Sequence, residues 1–237
     1  MTLFLEATAI VTFGALIQGA VGFGVALVSV PFLVALEPRF VPGPMIVAGT
    51  FLTVLMAVKE RRHIDVLGLK WAVVGRLPGI VAALLVLTIV SGELLQPVTG
   101  ALVVVGVFMT AAGAKLEPTG VNLFLAGLLS GFMGTTSSIG GPPLALIYQK
   151  RPGPELRGTL SGYFIVAGVM SLVALIAAGH FSWCDAKLSA LLLPGITLGF
   201  GLSRLVVSSL DRHRTALRIS VLALAGLAGA VNLLCQK

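Results

Sequence analysis

Residues 131–143 read GFMGTTSSIGGPP, from Gly131 to Pro143, and lie between two apolar runs, Val121 to Leu129 and Leu144 to Tyr148. Four successive hydroxyl residues (Thr135, Thr136, Ser137 and Ser138), small residues on either side and a Pro-Pro pair are too polar for an ordinary spanning helix. A surface loop would carry charge, and this stretch carries none. It is therefore predicted to be a helix break at membrane depth, where irregular backbone is tolerated only if protein or a water-filled cavity surrounds it.

The rest of the chain requires a bilayer. Of 237 residues, 57% are hydrophobic and 11% charged, with a mean hydropathy of +1.05, whereas soluble domains carry about 25% charged residues. Apolar segments run from Leu3 to Gln18, Val25 to Leu36, Pro44 to Val58, Leu69 to Val90 and Leu94 to Ala114. After a short link, KLEPTG, they resume with Val121 to Leu129, Pro142 to Tyr148, Leu156 to Ala178, Leu188 to Val207 and Leu217 to Leu234. Several approach the roughly 20 residues that a spanning helix needs. The reading is one all-α integral membrane domain over residues 1–237, with no soluble domain left over.

The two halves align. Gly19 falls on Gly131, Gly22 on Gly134 and Pro31 on Pro143, each pair 112 positions apart, and Gln18 falls on Ser130. Residues 1–116 and 117–237 are thus predicted to be repeats, each a broken or re-entrant helical hairpin followed by three transmembrane helices. Such repeats place transport sites at their interface.

Charge supplies the orientation. If each hairpin crosses an even number of times, one side holds Lys59, Arg61, Arg62, Lys70, Lys115, Lys150, Arg151, Arg157, Arg204, Arg212, Arg214 and Arg218, and the other only Arg39, Lys187 and Lys237. Twelve against three marks the rich side as cytoplasmic. The repeats are then inverted, both termini lie outside a cell (inner) membrane, and the turns QGAVGFG and GTTSSIGG enter from opposite faces to meet near the midplane. The net charge of +7 belongs to these loops, so no nucleic-acid partner is expected. Arg76, about six residues past Lys70, is predicted to snorkel to the cytoplasmic surface, with attraction of an anion as the alternative role.

The second arm of each hairpin begins at the turn, so its N-terminus points inward, where free N–H groups and the helix dipole favour an anion. Gly19, Gly22, Phe23 and Gly24 of the first turn, and Gly134, Gly140, Gly141 and Pro142 of the second, are candidate substrate-binding residues. So are the hydroxyls of Thr135, Thr136, Ser137 and Ser138, with Gln18 and Ser130 entering from the first arms. The expected pocket is polar without formal charge. Gly, Ser and Thr also let membrane helices pack closely, but packing needs small residues at helical spacing, not a continuous polar run. No metal-ligand spacing, cofactor motif or catalytic set occurs, so neither an enzyme nor a cofactor is expected. No carboxylate other than Glu6, Glu37 and Glu93, all near outer ends, lies in an apolar segment.

The stretches GALIQGAVGFGVALVSVP, GFMGTTSSIGGPPLALIYQKRPGPELRGTLSGYF and LPGITLGFGLSRLVV resemble the TauE/SafE family of membrane transporters over essentially the full length. That resemblance implies export of small anions, with sulfite, sulfoacetate and other organosulfonates as associated substrates. The expectation is a secondary transporter exporting a small sulfur-containing oxyanion through a midplane site between the two breaks; a small-anion channel is the alternative. The expected partners are the anion and the lipid bilayer, and a homodimer is left open.

Overall fold

The computed structural model describes residues 2–60, 64–90, 92–111, 116–210, 226, 229 and 230. The described chain is all helical: α1 (Thr2–Val21), α2 (Val25–Leu36), a single 3-10 turn (Pro38–Phe40), α3 (Gly43–Glu60), α4 (Val66–Ile89), α5 (Gly92–Ala111), α6 (Gly120–Ser137), α7 (Gly141–Tyr148), α8 (Gly153–Ala177) and α9 (Trp183–Leu210). The predicted last segment, Leu217 to Leu234, lies outside the described residues apart from three positions. Among the described residues, four stretches are long and apolar enough to cross a bilayer: Thr2–Val21, Gly68–Ile89, Gly153–Ala177 and Trp183–Leu205. Val58, Ile89, Phe108, Val173 and Leu205 project outward, as lipid-facing residues must.

Both breaks are shorter than the sequence predicts. Helix α6 continues through Gly131, Gly134, Thr135, Thr136 and Ser137, and only Ser138 to Gly140 interrupts it. The helix tolerates its hydroxyls because most bond within protein. Ser137 Oγ donates to the Met133 carbonyl at 2.8 Å, and Thr135 Oγ1 lies 2.6 Å from Ser171 Oγ. Likewise α1 runs past Gln18 to Val21, and its break is Gly22 to Gly24, with φ of 106° and 119° at Gly22 and Gly24. Glycine takes that left-handed backbone without the steric clash that a side chain would bring.

Two helix pairs approach backbone to backbone. A Cβ on Gly75 or Gly79 of α4 would fall on the Phe124 or Leu128 carbonyl of α6, and one on Gly127 would fall on the Ala72 carbonyl. In the other pair, Gly195 and Gly199 of α9 face the Thr8 and Thr12 carbonyls of α1. Without a hydrophobic force between helices in lipid, such small-residue contacts are what hold them together. They also fix the breaks that end α6 and α1 against α4 and α9.

The far end of α7 is tied to the start of α4. Asp65 caps α4 by accepting from the Gly68 N–H at 3.0 Å, and its other oxygen accepts from Tyr148 Oη at 3.0 Å. The Asp65 N–H donates to Thr159 Oγ1 at 3.0 Å, bringing in α8.

Candidate functional site

The site is built on a charge that the sequence reading sends to the surface. Arg76, on α4, is 3% exposed and does not snorkel. Its Nη1 donates to Ser130 Oγ at 3.0 Å and to Tyr163 Oη at 3.2 Å, and its Nη2 donates to Ser171 Oγ at 2.8 Å. The guanidinium also lies 5.7 Å from the Tyr163 ring centre, a cation–π distance. Gly134 gives it room: a Cβ there would stand 3.0 Å from Nη2. Three hydroxyls from α6 and α8 therefore hold the head group inside the bundle.

No carboxylate pairs with Arg76 among the described residues, and its Nε has no hydrogen-bond partner. Of the five N–H donors a guanidinium carries, three are used. Hydroxyl dipoles soften the desolvation of a buried ion but do not cancel its charge.

Arg76 lines a cavity of about 80 Å³. About 10–15 Å³ suffices for one water, so the space admits a small polyatomic ion. Both breaks contribute to its wall: Gln18, Phe23 and Gly24 from the first, and Gly134, Ser138, Gly140, Gly141 and Pro142 from the second. The two turns thus converge on one space. Thr50 and Thr53 of α3 and Phe164 of α8 complete it, with Met45 and Ile46 among the apolar side chains.

The other predicted residues do not line it. Gly19 packs on Ser203 and Phe200, and Gly22 on the Arg157 side chain. Ser130 stands behind the wall, accepting from Arg76 and donating to the Gly140 carbonyl at 2.6 Å. Thr135 and Ser137 bond within the bundle, and Thr136 is fully buried with its hydroxyl unpartnered. Glu6, an acid within the first apolar segment, is exposed.

The helix ends contribute less than expected. In α7 two of the first four residues are Pro142 and Pro143, which have no N–H, so half of the donors normally free at a helix start are missing. In α2 the Val25 N–H donates to Gln18 Oε1 at 3.0 Å. Gln18 is thereby oriented, and its amide nitrogen has no partner among the described residues. The expected pocket carried no formal charge, whereas the wall of the observed cavity holds the Arg76 guanidinium. The sequence held the signal, because an ionisable residue inside a spanning segment marks a functional position by default.

Among known proteins, a model of the family described as "Sulfite exporter TauE/SafE" matches residues 7–232, nearly the whole chain. No curated protein and no solved structure matches.

Proposed function

Because the chain belongs to the sulfite exporter TauE/SafE family, we propose that it is a secondary transporter which exports a small sulfur-containing oxyanion bound between the two helix breaks. The observation that carries this reading is Arg76, a buried and unpaired cation on the wall of a cavity that both breaks line. An anion entering there would complete the electrostatics of a charge that the fold leaves uncompensated. The bond is charge-assisted and can be bidentate.

Movement follows from the same architecture. The pairing of α4 with α6 and of α1 with α9 is what two inverted repeats would produce, each repeat's broken element packing on a long helix of the other. Rocking of the repeats about the cavity would expose it alternately to the two faces. The cytoplasmic side is the one rich in Lys and Arg, with both termini outside.

Counterflow in proteoliposomes tests the proposal. Vesicles loaded with sulfite should accelerate entry of labelled sulfite and saturate with its concentration, and Arg76→Gln should abolish both. Flux that does not saturate, or that survives the loss of Arg76 in a well-folded variant, would overturn it.

A further inference from the structure

The wall of the cavity carries a specific imbalance of charge. Among the described residues, Arg76 is its one formal charge. The corresponding place on α1, against Gly19, is occupied by Phe200 and Ser203, which bring none. A site built symmetrically from both halves would hold two cations, and this one holds a single guanidinium.

The neutral groups divide by hydrogen-bond role. Gln18 offers an amide donor. The Thr50 hydroxyl donates to the Ile46 carbonyl at 2.7 Å, that of Thr53 to the Thr50 carbonyl at 2.8 Å, and that of Ser138 to the Pro42 carbonyl at 2.8 Å. With their protons engaged, these three oxygens present lone pairs only. They suit a ligand that carries a proton of its own and repel one that is fully ionised. Phe23 and Phe164 both lie beside Gly141 and offer an apolar wall for anything that is not oxygen.

We propose that the site selects singly charged sulfur oxyanions, hydrogensulfite or a small alkylsulfonate, over dianions and over zwitterions that carry an ammonium group. The inference rests on the transporter reading above and deepens it. A monoanion beside Arg76 makes the occupied cavity neutral. A dianion leaves a net negative charge buried against hydroxyl lone pairs, where an uncompensated ion is penalised most heavily. An ammonium group would find no carboxylate and would lie close to a like charge. One net negative charge then crosses per turnover, because among the described residues the wall has no acid to carry a compensating proton.

The test is competition for labelled sulfite uptake into proteoliposomes, using methanesulfonate, sulfate, sulfoacetate and 2-aminoethanesulfonate. Methanesulfonate should compete, and the other three should compete at least about tenfold more weakly, a difference of about 1.4 kcal/mol. Sulfite uptake should also fall as pH rises and hydrogensulfite ionises, while methanesulfonate uptake, measured in parallel, stays flat. Arg76→Lys keeps the charge and should keep the monoanion preference at lower affinity, which guards against a folding defect in Arg76→Gln. Equal competition by sulfate or sulfoacetate, or sulfite uptake that rises with pH against a flat control, overturns the selectivity while leaving anion transport intact. Absence of any sulfur-oxyanion uptake overturns the transporter reading itself.

Discussion

Arg76 and Ser130 form the joint of the molecule: Nη1 of the arginine donates to the serine hydroxyl at 3.0 Å, and that hydroxyl donates onward to the Gly140 carbonyl at 2.6 Å. A single oxygen thus links the buried charge on α4 to the break between α6 and α7. Ser130→Ala would leave both a guanidinium N–H and a buried carbonyl unsatisfied, each worth roughly 1–3 kcal/mol. The variant should melt at lower temperature in detergent and lose anion affinity together. A melting point equal to wild type would show that the joint is not structural.

Tyr163 and Ser171 hold the same guanidinium from α8. Ser171→Ala frees Nη2 and also removes the partner of Thr135, whereas Tyr163→Phe removes one bond and keeps the ring beneath the cation. Uptake kinetics should show a KM several-fold higher for Ser171→Ala than for Tyr163→Phe. The reverse order would mean that the hydroxyl of Tyr163, not its ring, positions Arg76.

Gln18→Glu is nearly isosteric and can still accept from the Val25 N–H, but it adds a negative charge to the wall of a cavity with one cation. Expression and melting should change little. Anion affinity should fall about tenfold or more, equivalent to about 1.4 kcal/mol, and the loss should lessen at a pH low enough to protonate the glutamate. Unchanged affinity would place the ligand away from Gln18.

Ser138 adopts a left-handed backbone, with φ of 65°, and donates to the Pro42 carbonyl. Ser138→Ala loses the bond and retains the strain, costing about 1 kcal/mol. Ser138→Gly loses the bond but relieves a strain of similar size. Thermal melts should therefore rank glycine above alanine.

Gly79 and Gly201 form a matched pair for the helix contacts. A Cβ on Gly79 would meet the Leu128 carbonyl of α6, a backbone atom that cannot step aside, and one on Gly201 of α9 meets nothing within 4 Å. Gly79→Ala should reduce the folded yield sharply. Gly201→Ala should be neutral or stabilising by up to about 1 kcal/mol, the helix-propensity difference between the two residues.

Much of the frame was legible because its signals are local. Apolar run length marked the helices, and the start of α2 at Val25 and the end of α7 at Tyr148 fall where the sequence puts them. The glycines of the first turn were legible as a break because positive φ is a property of the residue itself. The positions of the breaks within α1 and α6 were harder, since a hydroxyl run reads as polar until its partners are known.

The sequence by itself determined a helical membrane chain with two broken elements, which follow from composition, period and residue type, and its motifs carried the resemblance to a family that the match over residues 7–232 shows. Only the tertiary structure decided that Ser130, Tyr163 and Ser171, at separations of 54, 87 and 95 residues, surround Arg76. An arginine well inside a helix that runs from Val66 to Ile89 has a surface to reach along its own stem and a core to enter, and nothing local chooses between them. Three hydroxyls from two other helices, and the space left by Gly134, make the interior the lower-energy place for this one.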